Sequence, residues 1–325
     1  MPRHVLVAGG AGFIGSLTAK ALLERGDQVT VLDNLSTGLL SQVPEGAAFV
    51  EASIGSRAEV AELLASSPID ACICFAGLIA AGESMTEPGR YFANNVGETT
   101  VLLEELINAR VHEFVFSSSA AVYGEPLFTP MTETHPTQPT SVYGETKLMI
   151  EQVLAWMARQ GSLRYVALRY FNAAGAVEGH AEAHEPETHL IPLAISAAKG
   201  ERPPLQVFGS DYPTPDGTCI RDYIHINDLA TAHLAALDSL AQGTTALVCN
   251  LGTSHGYSVR EVLSAIEEVT GLVVPFTLAN RRPGDPAELV ASCDLARDVL
   301  GWVPTRSSLN QMIADAWHAT KGDAV

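Results

Sequence analysis

Lysine is almost missing from this chain: Lys20, Lys147, Lys199 and Lys321 are the only four in 325 residues. Basic residues of both kinds number 19 against 37 acidic ones, a formal balance of −18. Such a charge repels phosphodiester backbones and anionic headgroups. It argues against general nucleic-acid or membrane binding while leaving room for a local basic pocket that holds a phosphate. Cysteine is sparse too. Cys72, Cys74, Cys219, Cys249 and Cys293 are odd in number and show neither zinc spacing nor a disulfide framework, so no metal is expected and reduced thiols in a cytoplasmic setting are. Cys72 and Cys74 sit in an apolar strand-like run, and their side chains are expected on opposite faces of it. Long apolar runs are lacking as well. "ACICFAGLIAAG" is too short and too broken by glycine to span a bilayer. The opening "HVLVAGG" is already strand and turn, which argues against a signal peptide.

What is present is an ordinary folded composition, 47% hydrophobic and 17% charged, in a length that suits two lobes better than one core. Strand-like runs alternate with helical patterns through the first half: "RHVLVA", a helix over 13–25, "QVTVLD", "AAFVE", a helix over 57–66, "IDACICFA", one long helix over 91–109, "HEFVFSS", and "LRYVALRYF". Continuous apolar strands separated by helices predict an α/β fold, a doubly wound parallel sheet of Rossmann-like type covered on both faces. After Phe171 the texture turns loop-rich, with Gly, Pro and His. A helix over 226–240, a strand "ALVCNLG" and a helix opened by a Ser258–Glu261 capping box and closed by Gly271 follow. These segments predict a second, smaller α/β substrate-binding lobe.

"VAGGAGFIGS" places Gly9, Gly12 and Gly15 at the first strand–helix junction. A tight turn needs the first glycine, close approach to a pyrophosphate the second, and helix–sheet packing the third. The following helix N-terminus offers N–H groups to phosphate. Asp33 closes the second strand, where a carboxylate can accept bonds from an adenosine ribose. No Lys or Arg occurs between Asp33 and Arg57 to welcome a 2′-phosphate, so the expected cofactor is NAD. The expected division is therefore an NAD-binding domain over 1–175, with about 219–252 returning to it, and a substrate lobe over 176–218 and 253–325.

In "SVYGETKLMIEQVL", Tyr143 and Lys147 are four residues apart at a helix opening, so both side chains leave one face. An ammonium beside a phenol favours the phenolate. The same pattern also suits an amphipathic helix with a half-buried Tyr and a solvated Lys.

The glycine turn, the Tyr143–Lys147 pair and "FSSSAAVYG" after a strand together resemble the extended short-chain dehydrogenase/reductase family. The segments "RYFNAAGA", "FGSDYPTPDGTCIRDYIHINDLA" and "RRPGDPAELVAS" are similar, more narrowly, to members acting on UDP-sugars, and the likeness runs from about Val5 to Trp302. The resemblance implies interconversion of UDP-glucose and UDP-galactose by transient NAD-dependent oxidation at C4, rotation of the keto sugar and hydride return. It makes Tyr143 the base, Lys147 its electrostatic partner and nicotinamide-ribose contact, and Ser119 the hydroxyl bridging Tyr and substrate oxygen. It places further cofactor contacts at Phe13, Ile14, Asn34, Ser53, Ile54, Phe75, Ala76, Gly77, Asn95 and Phe171. Arg221 and Arg282 become diphosphate anchors, Asp285 a ribose contact, and Asn172, His189, Leu190 and Phe208 substrate-lining positions. It also implies a homodimer formed by two helices, about 89–109 and 141–160.

Some positions depart from the family pattern. Ile79 stands where many relatives have Lys, and Ser53 where an Asp would accept from the adenine amino group. Ala121 replaces a Thr near the sugar oxygen, and His189 stands where some relatives have Asn. Ala120 and Ala121 leave no carboxylate for a dehydratase or decarboxylase, and Leu289 favours plain hexoses over N-acetylated ones. Epimerases of UDP-N-acetylhexosamines or hexuronates are the alternative within the family. A non-catalytic NAD(H)-sensing protein is the alternative outside it.

Overall fold

A computed structural model describes residues 2–177, 187, 189–282 and 285–320. Its centre is a seven-stranded parallel sheet. Across it run Ala246–Leu251, Arg164–Tyr170, Glu113–Ser119, Ala71–Cys74, His4–Ala8, Gln28–Asp33 and Ala48–Glu51. The order reverses between His4–Ala8 and Ala71–Cys74, and this switch point is where open sheets of this kind hold ligands at their carboxyl ends. Side chains alternate across the sheet with a period of two. Leu6, Cys72, Phe114 and Phe116 thus pack on one face beneath helices Arg57–Ser66, Thr99–Asn108 and Val142–Arg159. Val5, Val7, Ile73 and Val115 pack on the other with helices Phe13–Arg25 and Ile226–Ala241.

The same period corrects one expectation. Cys72 and Cys74 are two residues apart and lie on the same face, both fully buried, while Ala71 and Ile73 face the other way. The long helix expected over 91–109 is also different in detail. Pro88–Tyr91 is α-helical, Phe92–Glu98 is a π-helical stretch, and α-helix resumes over Thr99–Asn108. A π segment widens the helix by bonding i to i+5 and turns its side chains to new directions. Here they include Asn95 and Glu98.

The last sheet strand, Ala246–Leu251, pairs with Arg164–Tyr170, so the chain returns to the first sheet after leaving it. The smaller lobe has its own core, built from Ile191, Ile195, Leu205, Val262, Ile266 and Met312. Its strand Leu205–Phe208 pairs with Phe276–Ala279, and Ile220–Arg221 lies between Tyr257–Ser258 and Glu288–Leu289. The helix Val259–Thr270 has both capping-box hydrogen bonds at Ser258 and a left-handed Gly271 at its end. No helix among the described residues is long and apolar enough to cross a membrane.

Helix Phe13–Arg25 meets its own turn with no room to spare. A Cβ on Gly15 would lie 2.2 Å from the Gly9 carbonyl oxygen. Gly15→Ala is expected to lower the urea midpoint by the equivalent of about 3 kcal/mol, as overpacking against rigid backbone does. A midpoint within error of the native chain's would show that the turn can relax.

Candidate active site

At the switch point the glycine turn is shaped by backbone contacts. Gly9 has φ +77°, and a Cβ there would lie 2.5 Å from the Ala76 nitrogen in the adjoining loop. Gly12 caps helix Phe13–Arg25 with no side-chain acceptor, so the first N–H groups, including those of Phe13 and Ile14, stay open toward an anion. Asp33 braces the turn from the neighbouring strand, one oxygen accepting from Ala11 N–H and the other from Leu35 N–H, both at 2.9 Å. Each carboxylate oxygen keeps a lone pair for a ribose hydroxyl. Asn34 is exposed beside it, and Phe75, Ala76 and Gly77 line the next strand end, half-buried. An uncapped helix start, a carboxylate at the second strand end and no local cation together fit an unphosphorylated dinucleotide. No cluster of side chains suited to a metal occurs among the described residues.

Tyr143 and Lys147 enter the site from helix Val142–Arg159, whose N-cap Ser141 accepts from Gly144 N–H. Lys147 is 3% exposed. Its Nζ donates to the Ser117 carbonyl at 2.9 Å and lies 4.9 Å from the Phe116 ring centroid and 5.8 Å from that of Tyr143. Burial pulls its pKa down to about 8, resisted by Cys74 and Glu151. Burial raises the Tyr143 phenol well above its ordinary value, Tyr170 adds to the rise, and a hydrogen bond with Ser119 opposes it. Lys147 therefore does not on its own make Tyr143 a phenolate. Its ammonium is aimed at the sheet edge, and a Cβ on Gly77 would come within 3.9 Å of it. Ser119 caps a short turn by accepting from Ala121 N–H at 3.2 Å.

Behind the pair lies a buried polar layer. Glu151, one turn beyond Lys147, accepts from Arg169 through both oxygens and from Ser118 Oγ at 2.6 Å. Arg169 also donates to the Tyr123 hydroxyl at 3.0 Å. Asn95, 1% exposed, clamps the loop after Ala71–Cys74 to the helix. It accepts from Leu78 N–H at 2.7 Å and donates to the Leu78 carbonyl and to Thr146 Oγ1, each at 3.0 Å. Expected as a cofactor contact, Asn95 has its amide engaged in positioning that loop.

A cavity of about 620 Å³ opens in the smaller lobe. Asn172, His189, Leu190 and Phe208 line it, and so do Arg221, Arg282 and Asp285. All the substrate positions expected outside the Tyr–Ser pair thus share one wall system, while Ser119 and Tyr143 are not part of that lining. Asn172 lies two residues beyond Tyr170, whose hydroxyl bonds Ser117 Oγ at 2.7 Å on the strand whose Ser117 carbonyl receives Lys147. The Arg282 guanidinium stacks 4.0 Å from the Phe208 centroid. Arg221 is held by its neighbour's carbonyl, Ile220 O, at 2.7 Å and by an ion pair with Asp285. The adjacent Asp222 is not its partner; buried, it accepts from Thr253 and Ala291. Residues 283–284, which follow Arg282 in the chain, and residues 178–186 and 188 of "AAGAVEGHAEAHEPETHLIP" lie outside the described residues.

The model of the NAD dependent epimerase/dehydratase family matches residues 5–252. The chain belongs to this family. It is 50% identical over 315 residues to the UDP-glucose 4-epimerase of Rhizobium leguminosarum bv. trifolii, covering 96% of each chain. With that of Lacticaseibacillus casei it shares 44% over 316 residues, 97% of this chain and 96% of that one. Among solved structures, the UDP-glucose 4-epimerase of Brucella ovis in complex with NAD superposes with a TM-score of 0.95 at 46% identity over 98% of both chains. The Stenotrophomonas maltophila enzyme, with bound NAD and formylated UDP-arabinopyranose, gives 0.96 at 40% over 99% of both.

Several parts of the site were not anticipated in the sequence. The Ser117 carbonyl that receives Lys147 is backbone and leaves no residue-type signal. Glu151 had one, since i+4 from Lys147 on the same helix places it on the same face. Arg169, Ser84, which accepts from Tyr143 N–H at 3.1 Å, and the Asp285 partner of Arg221 are long-range contacts that spacing does not reveal.

The Lys147 shift sets a stability test. The folded chain disfavours the charged lysine, a cost fully present below about pH 8 and gone above the unfolded value of 10.5. Lys147→Met, free of nucleotide, is expected to unfold about 2 °C higher than the native chain at pH 7. The gain should vanish by pH 10.5. A lower midpoint at pH 7 would mean that the Ser117 hydrogen bond outweighs desolvation.

Proposed function

We propose that this chain interconverts UDP-glucose and UDP-galactose, with NAD held at the glycine turn. The observation that carries the reading is one constellation: Tyr143 hydrogen-bonded to Ser119 with a buried Lys147 ammonium one turn away, in a chain whose smaller lobe holds a cavity lined by Arg221 and Arg282. Near full-length identity of 44–50% to relatives named UDP-glucose 4-epimerase supports the same reaction. When bound, NAD supplies a reversible hydride acceptor for the sugar's C4.

The chain's own part begins with the proton. Tyr143 takes it from the 4-hydroxyl and later returns it, with Ser119 holding the sugar oxygen in line. Its phenol needs help to ionise, because burial disfavours the anion. Lys147 supplies one positive charge at fixed distance, anchored by Ser117 O so that it cannot swing away. Charge in a site shielded from water acts more strongly than in solvent. The diphosphate is gripped by Arg221 and Arg282, whose planar guanidinium groups suit multidentate contact. Phe208, stacked on Arg282, lines the same cavity and adds an aromatic ring to the nucleotide end. Held at its nucleotide end alone, the keto sugar can present either face to the cofactor. Leu289, half-buried in the strand beside Arg221 and packed against the Val122–Met131 cluster, is the residue whose bulk we read as favouring plain hexoses.

Tyr143→Phe removes the proton acceptor and leaves the dinucleotide contacts. Turnover of UDP-galactose should fall at least about a thousandfold while NAD remains bound. Unchanged turnover would overturn the assignment. Offering UDP-glucose, UDP-galactose and their N-acetyl counterparts separately should give product only from the first two.

The assembly is proposed as a homodimer, packed through Val142–Arg159 and the helical run from Pro88 to Asn108. Trp156 stands 63% exposed on the former helix, a large apolar surface for a chain alone. Sedimentation at micromolar concentration should give twice the monomer mass, and Trp156→Glu should shift it toward one; a native monomer would refute this.

A further inference from the structure

We infer that Glu98 reads the adenine amino group of the dinucleotide, a role that rests on the NAD reading above. Its position follows from the sheet order. With a pyrophosphate at the helix start after His4–Ala8 and a ribose at Asp33, the base continues outward to the end of the next strand, Ala48–Glu51. That end carries Ala52, Ser53, Ile54 and Gly55, tied to Asp33 by Ala52 N–H donating to its carbonyl at 3.1 Å.

Glu98 arrives there from the π-helical stretch. Ser53 Oγ accepts from Gly55 N–H at 3.0 Å, and its single hydrogen is given to Glu98 Oε2 at 2.5 Å. Oε1 has no partner among the described residues, and no ion pair neutralises the half-buried side chain. A Cβ on Gly55 would lie 2.6 Å from Glu98 Cγ, so only glycine at that position leaves room for the glutamate. A carboxylate oriented by one hydroxyl, with its second oxygen free at the rim of a nucleotide groove, is an acceptor awaiting a donor. The adenine amino group is such a donor. The corresponding carbonyl of hypoxanthine is not, and would face the carboxylate with a lone pair against a negative charge. The acceptor that Ser53 does not provide from its own strand is brought in from the neighbouring helix.

The test compares two dinucleotides. The full chain, freed of nucleotide, is titrated calorimetrically with NAD and with nicotinamide hypoxanthine dinucleotide. The native chain should prefer NAD by about tenfold or more, the value of one charge-assisted hydrogen bond gained or forfeited. Glu98→Ala should bring the ratio to within about twofold. Glu98→Gln, whose amide can donate to the carbonyl, should lower it well below the native value. The Gln variant keeps the shape of the side chain, so it and the native ratio carry the test should the alanine variant fail to fold. Equal binding of both dinucleotides by the native chain, or full preference retained without Glu98, would overturn the inference while leaving the NAD reading intact. Binding of neither dinucleotide would overturn that reading and this inference with it.

Discussion

A buried ammonium group with one fixed hydrogen bond organises this site. Lys147 keeps its charge inside the fold because the Ser117 carbonyl receives it and Glu151 stands behind it. An ion so placed is costly, and the surrounding structure is arranged to bear that cost. Arg169 and Ser118 hold Glu151, Asn95 and Thr146 fix the loop in front, and Ser84 receives the first turn of the Tyr143 helix. These contacts tie the Tyr143 helix to strands Glu113–Ser119 and Arg164–Tyr170 and to the neighbouring helical segments. Precision at the site is thus secured by polar groups one layer below it.

The electrostatics divide the work between protein and cofactor. Burial alone leaves Tyr143 harder to ionise than tyrosine in water. In the proposed role of base, a Tyr143 that stays protonated until its partners are assembled would be protected from acting early.

Much of this was legible in the sequence, for identifiable reasons. Helices Phe13–Arg25 and Arg57–Ser66 and the strand Gln28–Asp33 fall where the apolar runs and the glycine and polar punctuation between them put them, because both signals are local in the chain. The capping box at Ser258 is equally local. The π stretch at Phe92–Glu98 was hidden because the surrounding apolar residues suit an ordinary helix. The cysteine pair was misplaced by overlooking that two residues complete a full strand period. Residue types along one helix, Tyr143 and Lys147, were visible, but the direction in which Lys147 points depends on a strand 30 residues away. The Arg221–Asp285 pairing, 64 residues apart, belongs to the same class of information that only folding brings together.

With Arg221 read as the diphosphate anchor proposed above, that last pairing bears on how a ligand would leave. A guanidinium already matched with a carboxylate gives an incoming diphosphate a smaller net gain than a bare one would, because an existing bond must first be exchanged. When the anion departs, Asp285 is at hand to recapture the arginine. Under that reading grip and release would be two positions of a single swap, in which Asp285 takes part alongside Arg221.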